Sequence, residues 1–291
     1  MSCDVLSRSP FLQTVNPVHT QLSARYGEEV AAQVAAVLNG ADHGALQQLL
    51  GHRSVRAYLQ APLDESVLPT LVAAAQSAAS SSNLQAWSVV AVTDPARKAR
   101  LSEFAGNQAH IRQCPLFLVW LADLSRLDRV AERADTKAGA NAYLEMFLLA
   151  VVDAALAAQN AVVAAESLGL GTVFIGGIRN LPEQVAAELQ LPPHVFPVFG
   201  LCVGRPDPAK PATVKPRLPQ GAVLHRETYS NAAEAGIVEQ YDRTLEAFQR
   251  SEGMAPVGWS AQSSKRVGGP ERLSGRDRLK EALAALGFSL R

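Results

Sequence analysis

The stretch AAESLGLGTVFIGGIRN, Ala164 to Asn180, decides how the chain is organised. Its small-residue start continues a helix, and Gly169 with Gly171 stops it. Thr172 to Ile175 is a short β-branched and aromatic run that reads as a strand, and Gly176 with Gly177 closes it. The glycines stand before and after the strand, not between strand and helix at the GxGxxG spacing, so no Rossmann dinucleotide site is indicated. Any nicotinamide must bind another way.

Upstream of this stretch, Asn141 to Leu168 is apolar nearly all round and would span roughly 40 Å as a helix. It is expected at the centre of the fold and shared with a second copy of the chain. Glu145, Asp153, Gln159, Asn160 and Glu166 interrupt the apolar run from Tyr143 to Leu170. That favours a buried helix over a membrane span.

Further strands are expected over Ser88 to Thr93, Leu116 to Leu121 and Val195 to Val203. Helical spacing of Val67, Leu68, Leu71, Val72 and Ala75 places a helix within Asp64 to Ala79. Arg205 to Pro219 is proline-rich and reads as an extended connector. Helices follow near Asn231 to Arg250 and Arg276 to Leu286, with a mobile loop over Ser251 to Gly275. Residues 1–42 read as an N-terminal extension without assigned role, irregular at first and helical over Glu28 to Leu38. Residues 43–291 form the main domain.

The chain has 291 residues, 48% of them hydrophobic, with formal net charge +0. That is enough to bury a large core, and no charge imbalance favours nucleic acid or a membrane surface. Cys3, Cys114 and Cys202 form no CxxC pair, which argues against a zinc site and a disulfide-stapled secreted domain. No metal site is expected. The opening MSCDVLSRSPFLQ lacks the pattern of an export signal, and a reducing cytoplasm is the expected location.

No HExxH, GxSxG, GxxxxGK or kinase signature is present. What remains is a set of basic, serine and glycine clusters: HRSVR from His52 to Arg56, SSSNLQ from Ser80 to Gln85, GNQAH from Gly106 to His110, FGLCVGRP from Phe199 to Pro206 and KPRLP from Lys215 to Pro219. Singly, each is an ordinary surface. Lys215 and Arg217 flank a proline, a stiff pair suited to one phosphate dianion.

In this order, and together with the stretch at Ala164 to Asn180, the clusters resemble the nitroreductase family, in its oxygen-insensitive NADPH nitroreductase and flavin reductase group. The resemblance runs from about His52 to Tyr241. It implies an α+β fold, a mixed, mainly antiparallel sheet flanked by helices, in a homodimer with FMN at the subunit interface. Carried over residue by residue, it assigns the run opened by His52 to the cofactor, with Arg53, Ser54, Lys215 and Arg217 on the FMN phosphate and Arg56 at the pyrimidine edge. Ser80, Ser81 and Ser82 would reach flavin from the partner chain. Gln108 would bond the polar flavin edge, and Phe174, Ile175, Gly176 and Gly177 would line the ring. Glu145 and Arg276 would lie on the substrate side, with Arg250 bordering the mouth and Asn83 where an aromatic is frequent at the acceptor pocket.

The implied activity is ping-pong, two-electron transfer from NADPH or NADH to nitroaromatics and quinones. The cofactor carries the chemistry, so no catalytic side chain is assigned. The chain departs from the group where Gly253 to Trp259 lacks paired arginines and where Leu273 replaces a common lysine. Strict NADPH preference is therefore not implied. Two alternatives stand beside this reading: a reductase of free flavin, and a non-catalytic flavin-binding sensor acting through the N-terminal segment.

Overall fold

The computed structural model describes residues 17–35 and 44–291. Helices and strands run in the order α1 (Pro17–Tyr26), α2 (Glu28–Ala35), α3 (Gly44–Leu50), α4 (Val67–Gln76), β1 (Trp87–Val92), α5 (Pro95–Phe104), α6 (Ala109–Gln113), β2 (Leu116–Asp123), α7 (Ser125–Arg133), α8 (Leu144–Ser167), β3 (Gly171–Ile175), α9 (Pro182–Glu188), β4 (Val195–Gly204), α10 (Glu234–Ser251), α11 (Trp259–Arg266) and α12 (Leu279–Ala285). Two compact units emerge: one within Met1–Gly51 and Val214–Pro256, the other His52–Thr213 with Val257–Arg291.

In the second unit the strands pair in the order β1-β2-β4-β3, each pair antiparallel. A parallel bridge between Ser54 and Thr172 extends the β3 edge, with Val55 N donating to Thr172 O at 2.8 Å. The HRSVR run thus lies along the sheet, which is mixed and mainly antiparallel as expected. Every residue of β2 is buried, and its side chains divide by strand alternation. Phe117, Val119 and Leu121 join Leu101, Ile111 and Val185 from α5, α6 and α9 on one face. Leu116, Leu118 and Trp120 meet Leu71 and Ala75 of α4 and Ala157, Ala158 and Ala161 of α8 on the other.

Helix α8 approaches closely because it presents alanines to the sheet. Its end is the one the glycines imply: Gly169 takes φ +73°, Leu170 N donates to Ala165 O at 3.0 Å, and Gly169 N to Glu166 O at 3.0 Å, a Schellman closure. Gly171 serves a different need, since a β-carbon there would lie 2.6 Å from the Val55 side chain. By length and composition alone α8 would also cross a bilayer. Here its alanine face is buried on the sheet.

The first unit packs Val18, Leu22, Ala31 and Leu50 of α1, α2 and α3 together. Residues 17–26, expected to be irregular, form α1. The helix expected over Glu28 to Leu38 is α2 as far as Ala35, and its last three positions lie outside the described residues. The loop expected over 251–275 carries α11 and a 3-10 turn at Pro270–Leu273. Besides α3, four helices, α5, α6, α7 and α9, have no counterpart among the elements expected from the sequence. The first of the four was signalled locally, because Asp94 accepts from Arg97 N at 2.7 Å and Pro95 opens the helix.

Candidate functional site

In the second unit β3 delivers the chain to Gly176 and Gly177, which begin a 3-10 turn to Asn180. The two glycines have different reasons. A β-carbon at Gly177 would lie 2.6 Å from Ala105 O and 2.6 Å from Gln108 Nε2, so that position is small because protein packs on it. At Gly176 the nearest atoms would be Arg179 Nη2 at 3.5 Å and Arg276 Nη1 at 3.7 Å, the tips of two guanidiniums. Phe174 is exposed and packs edge-on against Phe199, centroids 5.1 Å apart, while Ile175 is buried.

Arg179 donates to Val198 O and Arg276 Nε to Leu273 O at 2.8 Å. Neither pairs with a carboxylate among the described residues. Burial, and then Arg276, holds the Arg179 guanidinium below its ordinary range; burial, and then Arg266, does the same to Arg276. Like charges gathered without acids suit an anion. Arg179 was not among the candidates read from the sequence, although its place two residues after a glycine pair was the available signal.

Gln108 stands at the start of α6, its Nε2 donating to Ala105 O at 2.9 Å, after Asn107 at φ +59°. Arg56 is exposed and pairs with no carboxylate among the described residues. It is close enough to His110 that burial first, and Arg56 second, push that imidazole pKa down. His52 is engaged by Glu166, with Nδ1 to Oε1 at 2.6 Å, which turns its side chain toward the end of α8. Arg53 is exposed beside Ser54 on the parallel bridge.

The serines form a strained turn, with Ser82 and Asn83 at φ +49° and +55°. Asp153, 2% exposed, holds it. Ser80 Oγ donates to Oδ2 at 2.7 Å, Ser81 N to Oδ1 at 3.2 Å and Ala86 N to Oδ2 at 3.1 Å. In the sequence Asp153 reads as an interruption of an apolar helix. An acid in the middle of such a helix was the sign that another segment packs there. Ser80, Ser81 and Glu145 line one cavity of about 510 Å³ with Leu148, Val152 and Leu156 of α8.

In the first unit Lys215 and Arg217 are exposed on either side of buried Pro216. Tyr241 donates to Pro216 O at 2.9 Å, and burial raises its phenol pKa although Arg217 opposes this. Arg250 is an exposed helix residue bonded to Glu246 at 3.1 Å. The second unit therefore gathers Phe174, Ile175, Gly176, Gly177, Gln108 and Arg276 at one end of β3, and Ser80, Ser81 and Glu145 beside α8. Lys215, Arg217 and Arg250 belong to the other unit. Cationic tips over an open glycine, an acid-free Arg56 and an aromatic beside the strand end suit a flat, anionic ligand such as a flavin nucleotide.

The chain matches the nitroreductase family over residues 49–205 and that family's C-terminal domain over 215–291. It is 40% identical over 225 residues to an FMN reductase (NADPH) of Bacillus subtilis, covering 76% of this chain and 90% of that one. An oxygen-insensitive NADPH nitroreductase of Salmonella typhimurium is 41% identical over 208 residues, 72% of this chain and 83% of its own. Among solved structures, B. megaterium NfrA2 superposes with TM-score 0.81 at 39% identity, over 86% of this chain and 100% of the other. The NADPH:FMN oxidoreductase from Vibrio harveyi complexed with NAD+ gives 0.75 at 34% identity, over 86% and 100%. With the fold, the ordered motifs and both family domains in agreement, the chain belongs to the nitroreductase family.

Proposed function

We propose that the protein is an FMN-dependent NAD(P)H oxidoreductase that reduces nitroaromatics and quinones two electrons at a time. The observation that carries this is the open β3 end, where Arg179 and Arg276 meet over Gly176 without a carboxylate. FMN, when bound, supplies the hydride-accepting ring. The chain's own residues bind and orient it. Arg53, Ser54, Lys215 and Arg217 hold the phosphate, and Arg56 supplies positive charge at the pyrimidine edge, favouring the anionic reduced ring over the oxidised one. Gln108 bonds the polar edge, and the backbone from Phe174 to Gly177 lines the ring.

The functional unit is a homodimer. Leu144, Leu148, Val152 and Leu156, four residues apart on α8, are 45%, 51%, 55% and 44% exposed. Such an apolar ladder beside the serine turn supports a partner whose Ser80, Ser81 and Ser82 complete the other site. Glu145, Asn83, Arg276 and Arg250 serve the nucleotide and acceptor. The free thiols Cys114 and Cys202 accord with a reducing cytoplasm. Free flavin as acceptor is the second reading, favoured by the relatives named FMN reductases.

The test is the cofactor. Purified protein is expected to be yellow and to release one FMN per subunit. A colourless protein that also fails to take up added FMN would overturn the proposal.

A further inference from the structure

Away from these residues, the second unit forms a half-open pocket of about 620 Å³, within the range of roughly 300 to 1,000 Å³ typical of small-molecule sites. Leu63, Leu68, Pro115 and Leu116 give it apolar walls. Lys98 also lines it and is 6% exposed. Its ammonium donates to Cys114 O at 2.6 Å. An ammonium has three donors, and the other two meet no acceptor and no carboxylate among the described residues. A buried charge left in that state is unfavourable unless a ligand answers it. Arg112, on the same lining, bonds Ser102 Oγ at 2.5 Å and likewise pairs with no acid. The lining acids Asp64 and Glu65 lie on the approach to α4, and Asp64 is taken by Ser66 N and Oγ at 2.8 and 2.5 Å.

We propose that this cavity binds a small organic monoanion, a carboxylate with an aromatic or short alkyl body. The carboxylate takes the two remaining Lys98 donors, and the apolar body lies against Leu68 and Pro115. The test is calorimetric titration of the FMN-loaded full chain with benzoate and hexanoate, with benzamide as neutral control. Saturable binding is expected, at least tenfold tighter for benzoate than benzamide, and not displaced by NADP+. Lys98→Met is expected to remove the benzoate preference, and Leu68→Trp to abolish binding by filling the cavity. Absence of saturable binding, equal affinity in Lys98→Met, or displacement by NADP+ overturns the proposal. If Lys98→Met does not fold, the benzoate to benzamide ratio in the parent and the loss in Leu68→Trp decide it.

A separate observation concerns α1, which precedes the matched region starting at residue 49. Within the first unit Arg25 is 5% exposed. Its carbonyl accepts from Arg217 N at 3.0 Å, and its Nε donates to Leu50 O at 2.6 Å. Tyr241 holds Pro216 from α10. The peptide carrying the two phosphate cations is thus pinned from both sides, and we infer that Arg25 is a positioning residue for Arg217. This rests on the FMN reading above.

Riboflavin, which lacks the phosphate, separates the two. Arg25→Ala is expected to weaken FMN about tenfold and riboflavin little, with Arg25→Lys intermediate. Equal loss of both flavins means a merely structural role and overturns the inference. If Arg217→Ala itself leaves the FMN to riboflavin ratio unchanged, the phosphate assignment fails instead. If Arg25→Ala does not fold, Arg25→Lys carries the comparison.

Discussion

Asp153 is where a single residue governs the serine turn. Its carboxylate accepts three hydrogen bonds from the turn between Ser80 and Ala86 while 2% exposed, and the turn carries two successive left-handed residues, Ser82 and Asn83. Removing the acceptor leaves buried donors unmatched, at about 1 to 3 kcal/mol. Asp153→Ala is therefore expected to lower stability by roughly that amount in chemical denaturation and to weaken FMN binding, whereas Ser77→Ala at the end of α4 changes neither. Glu188 supplies a pH dependence. Arg100 binds it at 2.7 and 2.8 Å and Arg97 at 3.0 Å. Chiefly through Arg100, these hold its carboxyl at about 2 against an ordinary 4.5. A depressed acid stabilises the fold above its unfolded pKa, and that stability is lost as pH falls through the folded value. Denaturation at pH 6 and pH 3 is expected to show Glu188→Gln less stable than the parent at the higher pH, with the gap narrowing at the lower. A constant gap would remove the ion pair as its cause.

At the scale of elements, α8 does two jobs on two faces. Alanines at 150, 154, 157, 158, 161 and 165 are buried, and the Leu144, Leu148, Val152 and Leu156 ladder is not. Burying one such aliphatic side chain contributes about 1.5 to 3 kcal/mol. Replacing Leu148 and Val152 by aspartate in both protomers is expected to weaken the dimer at least about a hundredfold, read by light scattering across concentration. Unchanged association would move the interface elsewhere. The helix was legible in sequence as to type and centrality, because nearly continuous apolarity over that length is too long for a strand and too interrupted by charge for a membrane span. The face bearing the ladder was not legible, since a helix apolar all round gives no phase from which to choose. Helices α5, α6, α7 and α9 escaped for the opposite reason: they are short and polar on much of their surface, and α5, α6 and α9 are fixed by packing against the sheet.

At the scale of the molecule, ligand and fold are linked. A cofactor that binds only the folded chain stabilises it by about 2.7 kcal/mol at a free concentration one hundred times its dissociation constant. FMN added to stripped protein is expected to raise Tm in step with its concentration, and less so for Arg217→Ala, where losing a charge-assisted bond weakens binding roughly ten- to a hundredfold. Arg276, half-buried beside Gly176 rather than merely opening α12, is expected to matter to the nucleotide. Arg276→Ala should raise KM for NADPH more than for NADH and leave a neutral quinone nearly unaffected. Equal changes for both nucleotides would pass that role to Arg250 or to Lys265 and Arg266.

The sequence by itself determined the strands, the long helix with its glycine stop and, through its ordered motifs, a resemblance to the family that implied the mixed, mainly antiparallel sheet. Short apolar and β-branched runs, helix endings and spaced motifs are local properties, written in neighbouring residues. Only the tertiary structure decided that Gly177 is small for packing and Gly176 open beneath two arginines, that Arg179 joins Arg276, that Asp153 holds the serine turn and that Arg25 braces Arg217. Several of these contacts join residues far apart in the chain, such as Ser80 with Asp153 at 73 positions and Arg25 with Arg217 at 192. No periodicity or local spacing encodes such a pairing; it exists once burial of each core has fixed which backbones meet.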